Sequence, residues 1–419
     1  MLSAIASTIR RAVVRRLRNS GRILISDTTL RDGEQMPGVR FSPADKVTIA
    51  RALAEAGVHS LDAGFPAVSA EEVEAIRRIV REVRGPIVTA LCRTMRADID
   101  RAAEALADAW PHKKGVTLFI GVSPQHLEHK HQKKPAEALR QAVEAIQYAR
   151  RFFHIVTFGP EDASRADPDF LVKIYAEAIA AGATTIGFAD TVGILTPEQA
   201  ADRIKLIQDR VSNISQALLA VHFHNDLGLA TANALACVPL GIHIVQGTIN
   251  GLGERAGNTP IEEVVMALHV HAAQYRRRCD VHPQKLYALC QLVARLAKVP
   301  IPPNKAVVGS NMFRTESGIH QAGLLADAST YLPFLPEQIG GPPIQLVLGK
   351  HSGRHAVRHR FHACHLDLDD AQVDQVVDYL KRHPHRPMYV TDDDIVELYH
   401  EVFDAPEQSS PTTRLAAGG

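Results

Sequence analysis

Two histidines one residue apart, His222 and His224, close an apolar run in the string His222-Phe-His-Asn-Asp226. On a β-strand that spacing turns both imidazoles to the same face. Asp32 follows another apolar run, in Asp27-Thr-Thr-Leu-Arg-Asp-Gly-Glu-Gln35, and Asn258 ends the glycine-rich string Gly251-Leu-Gly-Glu-Arg-Ala-Gly-Asn258. One carboxylate, two imidazoles and an amide oxygen make a mixed nitrogen and oxygen set suited to a divalent cation with open coordination positions. Taken alone, the histidine pair reads equally well as two buried, hydrogen-bonded rings. Asp32 and Asn258 at matching element ends favour the cation. Mg, Mn and Zn all fit, and the mixed shell disfavours a purely structural zinc. Arg31, next to Asp32, can donate to an oxygen that gains negative charge.

These residues converge only if particular elements carry them. From Arg22 to about Ala272 short apolar runs alternate with longer helix-period segments. The runs are Ile23–Leu30, Ser60–Phe65, Pro86–Leu91, Gly115–Val122, Ile155–Phe158, Thr184–Phe188, Ala217–Phe223 and Ile242–Ile249. Ser42-Pro43, Asp167-Pro168 and Thr196-Pro197 each place a capping residue before proline at a first helical position. Gly57, Gly182 and Gly241 stand where helices should end. Eight strand–helix units predict an α/β fold of the TIM (β/α)8 class. A doubly wound sheet is the rival, but no glycine-rich dinucleotide fingerprint follows the first strand. In a closed barrel strands 7, 8 and 1 are neighbours and the site lies at their C-terminal ends, so Asp32, His222, His224 and Asn258 can meet.

The remainder divides by texture. Residues 1–21 are a basic extension, with Arg10, Arg11, Arg15, Arg16 and Arg18 and no acid before Asp27; they read as a leader or as a frayed extension. The barrel is expected over 22–275, a linker and lid segment over 276–350 broken at Val299-Pro-Ile-Pro-Pro303, and a small helical subdomain over 351–404. The stretch before Lys350 reads as irregular, helices are expected at Asp367–His383 and Thr391–Phe403, and a disordered tail at 405–419. Hydrophobic residues make up 46%, which excludes a disordered or fibrous chain. Lys and Arg total 47 against 46 for Asp and Glu, so no basic field points to nucleic acid. No apolar run is long enough to predict a membrane span. Five scattered cysteines without a Cys-x-x-Cys pair suit a reducing, cytoplasmic setting.

The strings DTTLRDGEQ (27–35), HFHNDLGLA (222–230), GLGERAGN (251–258) and FRTESGIHQAG (313–323), in that order, resemble the 2-isopropylmalate synthase and homocitrate synthase family. The similarity spans roughly Ile25 to His355. It implies a metal-dependent acyltransferase that condenses acetyl-CoA with a 2-oxo acid in a Claisen reaction, giving a 2-substituted malate and free CoA. By the resemblance Asp32, His222, His224 and Asn258 hold the metal, Arg31, Gln35 and Thr191 bind substrate, and Arg31, Glu161, His320 and Tyr331 are catalytic. His320 would be the base that takes the thioester methyl proton, assisted by Tyr331. The family also implies a homodimer whose exchanged C-terminal segments cover the partner's site.

Two departures bear on the substrate. Ala322 follows the His-Gln pair where the family often has Asp, and Thr157–Glu161 lacks the Arg-x-Ser pattern that holds the far carboxylate of 2-oxoglutarate. Gly64-Phe-Pro66, Leu91-Cys-Arg93 and Ser123-Pro-Gln-His126 look more like the isopropylmalate branch. The chain leaves no room for the long leucine-sensing domain of full-length relatives, so feedback inhibition of that kind is not expected. The alternatives are a paralogue using an anionic oxo acid, such as a homocitrate, citrate-like or phosphonomethyl- or phosphinomethylmalate synthase, and a lyase of the HMG-CoA lyase or aldolase type. The lyase resembles this chain in strands 1 and 7 only.

Overall fold

The structure, a computed structural model, describes residue 12, residues 14–384 and residues 388–404. The tail expected at 405–419 and most of the leader or extension expected at the start lie outside the described residues. Eight parallel strands run in the order β1 (Arg22–Asp27), β2 (Ser60–Asp62), β3 (Ile87–Arg93), β4 (Lys114–Phe119), β5 (Ile155–Phe158), β6 (Thr185–Asp190), β7 (Leu218–Phe223) and β8 (Ile244–Gly247). Each pairs with the next, and β1 pairs with both β8 and β2, which closes the ring.

The eight outer helices follow the strands: α1 (Pro43–Glu55), α2 (Ala70–Glu82), α3 (Arg96–Ala105), α4 (Pro135–Ala149), α5 (Pro168–Ala181), α6 (Pro197–Arg210), α7 (Ala230–Cys237) and α8 (Ile261–Val270). They begin where local chemistry dictates. The side chains of Ser42, Asp167 and Thr196 accept the N–H groups of Asp45, Phe170 and Gln199, with proline directly after each cap. Gly182 ends α5 at φ +116°, a conformation that a Cβ would strain. On α2 the residues Val73, Ile76, Ile79 and Val80 recur at helical spacing and are buried, while every residue of β7 is buried because helices cover the sheet's outer face.

The lumen departs from the usual filling of branched apolar side chains. Ser26, Ser60, Thr89, Thr117, Thr157 and Gln246 line it, and a cavity of 360 Å³ opens among them toward the N-terminal end of the barrel. Val14 and Leu17 border that cavity, and Arg18 donates to the carbonyls of Ile214 and Ala217 at 3.1 and 2.7 Å. So part of the basic N-terminal segment is docked on the barrel. After α8, helix α9 (Leu286–Ala297) lays Leu286, Leu289, Cys290 and Val293 against the barrel and stops at Lys298, φ +57°, before the proline break.

Pro303–Lys305 and the described residues from Gly309 to Asp404 form a second compact unit. Its helices α11 (Arg354–Ala363), α12 (Asp370–Arg382) and α13 (Asp392–Phe403) enclose Val357, Phe361, Val373, Val376, Leu380 and Leu398. The stretch read as irregular holds the helix α10 (Gly318–Ala326), two short helical turns (Ala328–Thr330 and Pro336–Ile339) and a short parallel pair, Arg314–Thr315 with Gln345–Leu346. The helix escaped the hydrophobic pattern because its burial is inverted. Ile319 and Leu325 are exposed, whereas Gln321 is buried and donates to the carbonyls of Thr315 and Val347. Among the described residues no helix is long and apolar enough to cross a membrane.

Candidate active site

The chain leaves β1 through a turn built by its own side chains. Asp27 accepts the N–H and the hydroxyl of Thr29 at 2.9 and 2.7 Å. The N–H groups of Arg31, Asp32 and Gly33 then converge on the carbonyl of Thr28. Burial pushes the Asp27 carboxyl up to about 7 against those bonds from Thr29. The turn aims Arg31 and Asp32 at the C-terminal mouth of the barrel, and the Thr29 hydroxyl accepts the N–H of Ile249, tying the turn to the loop after β8.

Arg31 is clamped between two carboxylates. Its Nη1 donates to Asp32 Oδ2 and its Nε to Asp62 Oδ2, each at 2.8 Å. Burial opposes the charge, but Asp32 and Asp62 hold the guanidinium firmly protonated, above its ordinary value. Two of its five N–H donors are committed in this way, and the remainder can meet an anionic oxygen. Asp62 was not singled out in the sequence; its only signal there is an acid closing the short apolar run at β2.

His222 Nε2 lies 3.4 Å from Asp32 Oδ2 and 3.3 Å from His224 Nε2. Ligand atoms of Asp32, His222 and His224 fall within 4.8 Å of one another, and all three residues are buried. Burial penalises the Asp32 charge, yet Arg31 and the two rings bring its carboxyl down to about 2. Burial also lowers His222 to about 3, against the pull of Asp32, and lowers His224 in the same sense. A carboxylate beside two neutral imidazoles is the protonation state that a divalent cation requires of its ligands. Asn258, fully buried and bridged to the His224 backbone, donates its Nδ2 to the carbonyl of Leu252. Its Oδ1 has no hydrogen-bond partner, nor has Asp32 Oδ1. Such orphaned buried oxygens are expected of ligands aimed at a cation, so the residues fit the metal.

The sequence-predicted residues Arg31, Asp32, Gln35, Glu161, Thr191, His222 and His224 all line one cavity of 270 Å³, with Leu91, Phe119 and Ala189 as apolar wall. Thr191 accepts the N–H of Asp162 at 2.8 Å, which leaves its hydroxyl proton for an anion in the cavity. Glu161 is gripped through both oxygens by Lys130, at 2.8 and 2.7 Å. Lys130 was not singled out in the sequence; it lies in the histidine-rich segment His126–His131. That segment is a π-helical turn at the cavity's edge. His320 and Tyr331 belong to the second unit, where both are exposed and their rings lie together at 4.2 Å between centroids.

The HMGL-like family pattern matches residues 22–293, and a pattern described as homocitrate synthase post-HMGL domain-like matches residues 307–386. The chain is 45% identical over 392 residues to a 2-isopropylmalate synthase of Heliobacterium modesticaldum, covering 93% of this chain and 76% of that protein. It is 44% identical over 380 residues to a 2-isopropylmalate synthase of Pyrococcus furiosus, with 91% and 76% covered. Among solved structures the HMG-CoA lyase of Bacillus subtilis superposes with a TM-score of 0.58 at 19% identity, over 67% of this chain and 95% of that one. At that identity the likeness is one of fold.

Proposed function

The chain belongs to the HMGL-like family, and on that footing we propose that it is an acyltransferase condensing acetyl-CoA with a 2-oxo acid, with water then hydrolysing the thioester, to a 2-substituted malate and CoA. The reading rests on one observation above others: Asp32, His222 and His224 meet beside Arg31 and Thr191 in a single cavity, within a chain 45% identical to a 2-isopropylmalate synthase. The relatives' name makes 2-oxoisovalerate the first acid to test. No observation favours a lyase, since the lyase likeness is one of fold.

Asp32, His222, His224 and Asn258 would hold the divalent cation. When bound, the cation withdraws charge from the keto group of the 2-oxo acid and so activates the carbon under attack. Thr191 donates its hydroxyl proton to the acid's carboxylate. Arg31, fixed by Asp32 and Asp62, presents its remaining N–H groups to the keto oxygen as it becomes an alkoxide, and because it is already oriented it need not reorganise. Gln35, exposed at the cavity edge, is assigned to substrate binding. Glu161, held by Lys130, is assigned an auxiliary acid–base role. His320, stacked on Tyr331, is assigned as the base that removes a methyl proton from acetyl-CoA. Its exposure, with Ile319 at 78% and Leu325 at 41% on the same helix, suits a segment completed by a second copy of the chain.

An anionic far end on the oxo acid finds no open cation here. Lys130 is committed to Glu161, and Arg93, paired with Asp98, does not line the cavity. 2-Oxoglutarate and phosphonopyruvate should therefore turn over poorly. Five free thiols suit the reducing cytoplasm. The test is CoA thiol release from acetyl-CoA with 2-oxoisovalerate, pyruvate, oxaloacetate, 2-oxoglutarate and phosphonopyruvate, with and without exhaustive chelation. The reading requires release with an apolar acid and its loss on chelation. Full activity after chelation, or a preference for 2-oxoglutarate, would overturn it.

A further inference from the structure

The catalytic cavity and the cavity at the N-terminal end of the barrel share three lining residues, Thr117, Thr157 and Gln246. Thr117 on β4 and Thr157 on β5 are register partners. Gln246 comes from β8, four strands away and so across the lumen, where it is the register partner of the metal-site residue His222. The floor of the catalytic cavity is thus one side chain thick. It lies one strand spacing, about 4.8 Å, from a ligand that fixes the substrate's reacting end.

Beneath that floor is empty space rather than packed core. The lower chamber, 360 Å³, is larger than the 270 Å³ catalytic cavity. Its upper ring is hydroxylic (Ser26, Ser60, Thr89), and its far end sets apolar Leu17, Ile87, Ile155, Leu218 and Ile244 among the rings of His59, His112 and His154. A dry cavity of about 150 Å³ already admits benzene, so this chamber has room for several methylenes. No lysine or arginine lines the chamber, so a charged chain end would meet no fixed cation there.

We propose that this chamber is the distal part of the substrate site, and that the enzyme accepts linear, uncharged 2-oxo acids whose chains pass the Thr117–Thr157–Gln246 floor into the barrel. The inference rests on the condensation reading and names the substrate class for it. Gln246 is the long, unbranched member of the three, so its rotation joins the two cavities. A chain held by its 2-oxo acid head at the metal site and threading the floor would leave its polar end at the mouth and bury its methylenes against the isoleucines and leucines below.

The experiment measures kcat/KM by thiol release for 2-oxobutyrate, 2-oxopentanoate, 2-oxohexanoate and 2-oxooctanoate, with 2-oxoisovalerate as reference. Each methylene that reaches the apolar end should raise kcat/KM by about fourfold. Gln246→Ala should raise the ratio of 2-oxooctanoate to 2-oxobutyrate. Ser60→Leu and, independently, Ile87→Phe fill the chamber from residues that do not line the catalytic cavity, and should lower that ratio. If one filled variant fails to fold, the other and Gln246→Ala still read the same ratio. Turnover of 2-oxoisovalerate with none of 2-oxohexanoate or 2-oxooctanoate, or a ratio indifferent to the variants, would overturn this inference alone. Absence of thiol release with every acid would overturn the condensation reading and this inference with it.

Discussion

At the scale of single residues, Asn258 carries the plainest test of the metal centre. Its Nδ2 is spent on Leu252, so only the orphaned Oδ1 can serve a cation. Asn258→Ala should fold and retain the cluster of Asp32, His222 and His224, but hold metal some 10- to 100-fold more weakly. Asp32→Ala and His224→Ala should lose turnover and bound metal together, read by elemental analysis alongside thiol release. An Asp32→Ala protein that keeps both would refute the assignment. Thr191 makes a different prediction. Losing one hydrogen bond to a carboxylate raises KM for the oxo acid about tenfold with kcat little changed, because the bond is made in ground and transition states alike. Thr191→Val should show that pattern and Thr191→Ser should largely restore the wild-type KM, whereas a fall in kcat alone would contradict a binding role.

At the scale of elements, two buried polar groups decide how firmly the barrel's pieces hold together. Lys46 on α1 is 1% exposed and ion-paired to Glu34 at 2.6 Å and to Glu72 of α2. Lys46→Met would leave two carboxylates facing each other without their cation, and should cost about 3 kcal/mol in urea unfolding. His243, just before β8, is 5% exposed and accepts the Leu219 N–H at Nδ1. Burial first, then Arg18 and Arg277, lower it to about 4 from 6.5. The unfolded chain therefore takes up a proton below pH 6.5 that the folded protein refuses until about pH 4. The stabilisation is complete above pH 6.5 and lost between 6.5 and 4, up to roughly 3 kcal/mol. The Tm advantage of wild type over His243→Gln should shrink across that window, and a pH-independent gap would sink the idea. Strands and caps were legible in the sequence because each is a local signal: alternating apolar runs, Ser-Pro and Thr-Pro caps, glycine stops. That Asp32, His222 and His224 come together was legible because the strand ends of a closed ring must meet. Asp62 and Lys130 were not, since their significance is a partner distant in sequence, Arg31 for one and Glu161 for the other. Nor was the void in the barrel, because serine and threonine in a strand do not announce whether something fills the space before them.

For the whole molecule, the assignment of His320 to a partner's site is tested by mixing two dead variants, Asp32→Ala and His320→Ala. In an exchanged heterodimer one site combines both intact halves, so random pairing should restore roughly a quarter of wild-type sites. Heterodimers demonstrated by mass but without activity would show that His320 serves its own barrel. Ring closure itself has a further consequence, in time rather than in space. Asp32 leaves the ribosome with the first strand, whereas His222 and His224 emerge with the seventh and Asn258 only after the eighth. No partial chain can offer the full ligand set, so metal capture during synthesis must wait for the last strand to seat against the first. At the proposed site a cation would act as a latch on a finished product: at a hundredfold excess over its Kd it would add about 2.7 kcal/mol to the folded state alone. Nascent chains should consequently pass most of their synthesis blind to metal supply, and scarcity should be felt afterwards, as faster turnover of completed protein.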